Sequence, residues 1–277
     1  MGGRAVVVAR SHLGRSFAPG GCHDELVSIA PRWIALQGAA NARAVVPGAL
    51  LRADNLQSLT AADVRVLVDE QALELVLDLR TDVEVHREGP GPLTAAPEVR
   101  IEHRSLHPDT GGATDLDATT ISPWGDTEES AFAEETPVVR AYASYLLRRP
   151  DSIVAAIRGI AGAQGSVLIH CAAGKDRTGV VVALALDAAG VDRDVIVSDY
   201  LASRERIEQI VARLVGSETY RAELAGLDPQ ALAPVPGTME RFLEIVDAHF
   251  GGAAAWLQAQ GLTDAELARL RERLGAS

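Results

Sequence analysis

The run His170-Cys171-Ala172-Ala173-Gly174-Lys175-Asp176-Arg177-Thr178-Gly179 concentrates more reactive chemistry than any other stretch of this 277-residue chain. A thiol and a guanidinium stand at its two ends with five residues between them. A short apolar run, 167–169, leads into it, and a second apolar run without a breaker follows as far as Gly190. That order predicts a strand, a tight loop and a helix, with the loop at the helix N-terminus. Unpaired N–H groups and the positive end of the helix dipole attract an anion there. A cysteine in such a place ionises easily, with a pKa of roughly 3.5–7.5 instead of about 8.5. Arg177 offers a planar fork that matches two oxygens of a phosphate. Cys171 can attack phosphorus while the loop residues Ala172, Ala173, Gly174, Lys175 and Gly179 hold the non-bridging oxygens, which gives a phosphocysteine intermediate. Thr178 can hydrogen-bond the sulfur and help it leave. His170 is expected to fix the loop and tune the thiol, not to act as a base. Lys175 is the only lysine of the chain, a compact ammonium kept inside the anion loop where every other cation is arginine.

The elements that must position this loop can be read on either side of it. Short strands are expected at 33–36, 41–44 and 50–54. Thr60 with Asp63 predicts a capped helix over 61–71. A nearly all-apolar stretch, 73–79, reads as a central parallel strand, and 99–106 as another. Pro137 opens a helix over 138–149 with Tyr142, Tyr145 and Leu146 on one side, where the tyrosines serve packing. Asp151 or Ser152 caps the next helix, which ends near Gly162. A long helix is expected over 193–215, in which Arg204 and Arg206 either approach the pocket or pair with Glu205 and Glu208. Thr238 caps a helix over 239–250, and Thr263 with Glu266 forms a capping box. Helices alternate with strands through the middle and dominate the C-terminal half. The expected fold is therefore α/β, a small, mostly parallel central sheet flanked by helices, with a helical C-terminal portion. Residues 1–30 read as an irregular N-terminal extension and 31–277 as one catalytic domain. Residues 109–136 are rich in acids and carry no Lys or Arg, which suggests a mobile insertion or lid.

With those residues in view, the loop resembles the phosphate-binding loop of the cysteine-dependent protein tyrosine phosphatase superfamily, and its Gly174-Lys175-Asp176-Arg177-Thr178-Gly179 version is similar to a bacterial branch of broad specificity. The fold that this implies is the phosphatase-like α/β sheet, with a helical lid near the acidic insertion. The resemblance implies that Asp109, at the end of the 99–106 strand, protonates the leaving group. It also offers Asp176 as the rival acid, since related lipid phosphatases are thought to use the Asp just before the loop Arg. Bacterial members usually carry Asn-Phe-Arg-Asp and then Leu-x-Arg-Ser. This chain has Asn41, Arg43 and Arg52, with Ala42 and Ala44 where Phe and Asp are usual. Asn41 and Arg43 are thus candidates to orient the loop or touch substrate. Arg80 and Glu84 are expected to form a structural ion pair, and Asp199-Tyr200-Leu201 is a further family-like run. A lysine at the place of Lys175 goes, in similar loops, with extra negative charge on the substrate, as in phosphoinositide phosphatases.

Composition narrows the partners. The net charge of −12 and the lack of a basic cluster argue against nucleic acid and against an anionic membrane. The expected partner is a phosphorylated substrate: a phosphotyrosine protein, a phosphoinositide, or a small nucleoside or sugar phosphate. No metal and no cofactor is called for. No signal peptide or membrane span is expected, which makes cytoplasm the default and leaves unconventional secretion open. Two distant cysteines, Cys22 and Cys171, make no disulfide framework. Cys22 is either an incidental thiol or a redox partner of Cys171. The alternative outside enzymology is a phosphate-binding module without turnover, against which the intact Cys171 and Arg177 speak.

Overall fold

The structure, a computed structural model, describes residues 31–89, 91–107 and 132–275. Asp109, Cys22, the N-terminal extension and most of the acidic insertion therefore lie outside the described residues. The chain runs β1 (Arg32–Trp33), β2 (Arg43–Val46), β3 (Leu50–Ala53), α1 (Ala61–Arg65), β4 (Leu73–Asp78), α2 (Asp82–Glu88) and β5 (Arg100–His103). Then come α3 (Pro137–Arg148), α4 (Pro150–Gly162), β6 (Ser166–His170), α5 (Asp176–Ala189), α6 (Arg193–Ala202), α7 (Ile207–Gly216) and α8 (Glu218–Leu224). The C-terminal helices are α9 (Thr238–Phe250), α10 (Ala253–Ala259) and α11 (Asp264–Leu274).

Six strands form one sheet in the order β1-β2-β3-β6-β4-β5, antiparallel from β1 to β3 and parallel from β3 to β5. The expected α/β architecture with a mostly parallel sheet is what the chain adopts. Side chains alternate across the pleat. In β6, Val167 and Ile169 enter the larger core with α3, α4, α5 and the C-terminal helices, whereas Leu168 enters the smaller one with Leu51, Leu67 and Val76. All five β6 residues are buried, which explains an apolar run without polar alternation. Helix α5 is buried on nearly every side, from Arg177 to Ala189 with the exception of Asp187. In the register of the sheet, Ala53 and Asp78 both lie opposite His170. The carboxyl ends of β3, β6 and β4 thus open on one crevice, the usual ligand position in open α/β sheets.

Several local expectations change. The first strand stops at Trp33: the Ile34 N–H still reaches the Ala42 carbonyl at 2.9 Å, but the amides of Gln37 and Gly38 donate to the Asp63 carboxylate at 2.8 and 2.9 Å instead of to a strand. The helix after Thr60 has the expected capping box but widens at Val66–Glu70 into a π turn, in which the Gln71 N–H reaches the Val66 carbonyl. Helix α4 starts at Pro150 with Arg149 before it, so neither Asp151 nor Ser152 caps it. Their side chains instead receive the Arg149 guanidinium. Gly237, not Thr238, precedes α9. The long helix over 193–215 is broken by a tight turn at Ser203–Arg206, where the Ser203 hydroxyl accepts from Asn41 and Arg43. The capping box of Thr263 and Glu266 is present. No helix among the described residues is long and apolar enough to cross a membrane.

Candidate active site

Cys171 follows the last residue of β6, is wholly buried, and is in no disulfide among the described residues. The loop that follows turns each of its carbonyls toward a donor on the protein side. The Cys171 carbonyl accepts from His170 Nδ1 at 3.2 Å and the Ala172 carbonyl from the Asn55 amide at 2.9 Å. Asn41 Nδ2 donates to the Ala173 and Gly174 carbonyls at 2.9 and 3.1 Å, and Arg52 Nη2 to those of Gly174 and Lys175 at 2.7 and 3.2 Å. A trans peptide is planar, so its N–H points away from its C=O. Five consecutive carbonyls held outward therefore turn the amides of residues 172–176 to the opposite side. Gly174 makes the tightest bend at φ +64, and a Cβ there would lie 2.1 Å from the Ala53 carbonyl oxygen, so no other residue fits.

The donors are themselves fixed. Asn41 and Arg43 are completely buried and do not face an open pocket. Arg43 donates to the Asn41 side-chain oxygen at 2.6 Å and to the Asp199 carboxylate at 2.8 Å, and the other Asp199 oxygen receives Arg52. Burial lowers the Arg43 guanidinium to about 10 against the pull of Asp199, which still leaves it a cation. Burial also works against the Asp199 charge, yet Arg43 and Arg52 hold that carboxyl below its ordinary range.

Arg177, in the first turn of α5, is fully buried. Its Nη1 and Nη2 donate to the two oxygens of Glu84 at 2.7 and 3.0 Å, and Nη1 reaches the Leu79 carbonyl at 3.2 Å. Glu84 is the third residue of α2 and also receives the Thr81 amide at 2.6 Å and the Tyr220 hydroxyl at 3.0 Å. The expected Arg80–Glu84 pair does not form. Arg80 turns back onto Asp78, two residues before it, with Nη2 to Oδ2 at 2.6 Å. The Thr178 hydroxyl is buried and has no hydrogen-bond partner among the described residues. Gly179 lets the Tyr200 ring lie against the start of the helix, where a Cβ would be 3.1 Å from it.

His170 Nδ1 must carry the proton that it donates to the Cys171 carbonyl, and Nε2 lies 3.6 Å from Asp78. Burial lowers the ring to about 4 despite Asp78, so it is neutral near pH 7. For Asp78, burial opposes the charge, but Arg80 and, at acid pH, the protonated His170 ring outweigh it and hold the carboxyl well below its usual range.

Asp176 and Lys175 lie at the rim of a cavity of about 370 Å³ whose walls include Tyr142, Ile207, Ile210, Leu214 and Leu232. Lys175 Nζ donates to the Leu232 carbonyl at 2.6 Å and is 3.3 Å from Asp176 Oδ2. Asp176 Oδ1 accepts from the Tyr142 hydroxyl at 2.5 Å. Burial first, then this carboxylate, push the Tyr142 phenol well above its ordinary range, so it stays a neutral donor. Arg204 and Arg206 do neither of the things expected of them: Arg204 donates to the Pro234 carbonyl, and the Arg206 guanidinium lies 4.8 Å from the centre of the Trp33 ring. Sequence reading missed Glu84 as the partner of Arg177, Asp199 as the anchor of two arginines, and the polar role of Tyr142. The one available signal was the acid-rich first turn after Thr81, where Glu84 also closes a capping box with Thr81.

An amide loop of this shape, entered by a buried thiol and left by a clamped arginine, defines the class of cysteine-dependent phosphatases. Residues 35–276 match the tyrosine phosphatase family, and the chain belongs to that family. It is 31% identical over 270 residues to the triple specificity protein phosphatase PtpB of Mycobacterium tuberculosis, covering 83% of this chain and 92% of that one. A tyrosine-protein phosphatase of Nostoc commune is 28% identical, over 91% of this chain and 83% of its own. Among solved structures, P. aeruginosa TpbA matches with a TM-score of 0.36 and 16% identity, over 72% of this chain and 99% of that chain.

Two outcomes follow from the buried charges. Glu84→Ala leaves Arg177 buried beside a missing partner, which should cost about 3–5 kcal/mol in a urea denaturation and weaken vanadate binding. Unchanged stability and affinity would show that Arg177 is held by other means. The His170 ring takes up a proton near pH 6.5 when unfolded but only near 4 when folded. Between those values the unfolded chain binds more protons, so stability falls as pH drops through that window, by up to about 3 kcal/mol. His170→Asn should flatten this slope in denaturation curves taken from pH 7 to pH 4. Parallel slopes would refute the assignment.

Proposed function

We propose that this phosphatase hydrolyses phosphate esters of aromatic alcohols, phosphotyrosine foremost, through a phosphocysteine intermediate on Cys171. The observation that carries the reading is the set of five outward-held carbonyls. Their inward amides suit the three equatorial oxygens of a phosphoryl group, directly in front of the Cys171 sulfur. Arg177, aligned by Glu84, adds the guanidinium. The thiolate attacks phosphorus and the P–O bond to the leaving group breaks, with its electron pair taken by oxygen together with a proton. Water then attacks the phosphocysteine, the sulfur leaves as thiolate, and the Thr178 hydroxyl, which lacks another partner among the described residues, steadies that charge.

Asp176 is the carboxylate that the described residues bring to the cavity rim, and it supports the reading in which the same group gives the proton to the leaving oxygen and recovers one from water. Asp109 remains the rival acid. The mostly apolar cavity favours an aryl group over a sugar or nucleotide, and the similar proteins named as tyrosine phosphatases point the same way. Lys175 at the rim favours further negative charge on the substrate, which keeps a phosphoinositide as the second reading.

Tested on phosphotyrosine peptide, inositol phospholipid and nucleotides in parallel, the protein should show its highest kcat/KM on the peptide. A preference for nucleotides would overturn the aryl reading. Cys171→Ser should abolish turnover and keep vanadate binding, and residual turnover near that of the unaltered protein would end the phosphocysteine mechanism. For the acid, Asp176→Asn should slow phenyl phosphate by about 10²–10⁴-fold and para-nitrophenyl phosphate much less, because only the poor leaving group needs the proton. If Asp109→Asn shows that pattern and Asp176→Asn does not, the role passes to Asp109.

A further inference from the structure

We infer that Tyr142 and Tyr200 form a two-hydroxyl relay that fixes which oxygen of Asp176 exchanges a proton with the substrate. The inference rests on the reading of Asp176 as the proton carrier. Tyr142 donates its hydroxyl proton to Asp176 Oδ1 at 2.5 Å, the short distance typical of a hydroxyl on a carboxylate. The Tyr200 hydroxyl lies 2.9 Å from that of Tyr142. A phenol has one proton. With Tyr142's committed to Asp176, Tyr200 must donate to Tyr142, and the chain runs Tyr200 to Tyr142 to Asp176. Oδ1 is thereby occupied by a donor, and proton traffic with the leaving group or water is left to Oδ2, on the side of Lys175.

The relay is built to stay in place. The Tyr142 ring meets Phe242 edge-on at 5.7 Å and Tyr200 edge-on at 6.4 Å, and stacks on Tyr145 at 6.4 Å. Its hydroxyl cannot leave Asp176 without displacing packed rings from three helices, α3, α6 and α9. Tyr200 in turn rests on Gly179 in the first turn of α5, at a separation that a side chain there would disturb. Both tyrosines are buried, although both also line the cavity. Both hydroxyls act through Asp176, which makes the two tyrosines positioning residues.

The test uses Tyr142→Phe and Tyr200→Phe, which keep the rings and remove single oxygens, assayed on phenyl phosphate and para-nitrophenyl phosphate. Tyr142→Phe should lower kcat on phenyl phosphate roughly tenfold, part of what a positioned acid contributes, with a much smaller loss on the activated ester and little change in KM. Tyr200→Phe, whose hydroxyl reaches the carboxylate only through Tyr142, should show the same pattern more weakly. In the Asp176→Asn background, Tyr142→Phe should add nothing further. Equal losses on both esters, or losses that multiply with Asp176→Asn, would overturn the relay while leaving Asp176 in its role. If Asp176→Asn itself treats the two esters alike, the reading of Asp176 fails first and the relay falls with it. Should Tyr142→Phe not fold, Tyr200→Phe alone decides between these outcomes.

Discussion

The planarity of the peptide bond is the constraint on which the rest of this molecule turns. A loop cannot present its N–H groups to an anion unless its C=O groups face the other way, and a carbonyl facing the protein interior must find a donor there. Residues 171–175 meet this demand with His170, Asn41, Asn55 and Arg52. These donors stand beside the amino end of β2 and at or beside the carboxyl ends of β3 and β6. The sheet order places β3 next to β6, so the strand that carries Arg52 is the one that lies against the loop. The cradle is therefore a property of strand order as much as of loop sequence.

Burying so many cations in a chain of net charge −12 is costly, and the way the cost is met shapes the site. Arg43 and Arg52 share Asp199, Arg177 has Glu84, Arg80 has Asp78, and the half-buried Arg213 reaches the buried Asp54 at 2.9 Å. Buried pairs of this kind contribute little to stability compared with apolar packing of the same volume. Their value lies in direction. A guanidinium held along two edges has one orientation, and a phosphate-binding site needs its cation in one orientation. The acids that do this are drawn from α2, α6, β4 and the turn after β3, which ties the loop to elements far from it in the chain.

The loop and its flanks were legible because their meaning is local. Apolar residues before Cys171, small residues after it and a breaker-free run beyond Thr178 specify strand, bend and helix within about twenty residues, and Gly174 answers a steric demand made by Ala53 across the sheet. The capping boxes at Thr60 and Thr263 were legible for the same reason. The failures share the opposite cause. Arg80 and Glu84 are close in sequence and suggested each other as partners, but Glu84 bonds Arg177, 93 residues away, while Arg80 folds back on Asp78. Tyr142 has the helical spacing of a packing residue, and its ring does pack; its hydroxyl meets Asp176 only because α3 crosses the start of α5. The helix expected over 193–215 is broken where the Ser203 hydroxyl meets Asn41 and Arg43 at and just before the start of β2.

The amino-acid sequence by itself determined the reactive loop, the α/β class and the family, because nucleophile, bend and helix start are written in adjacent residues and each follows from short-range sterics and periodicity. Only the tertiary structure decided what holds that loop open, which acid aligns Arg177, and which hydroxyl meets Asp176. Those contacts join side chains that strand order and helix crossing bring together. A buried donor or acceptor bonds whichever partner the packing leaves within reach, whatever its distance along the chain.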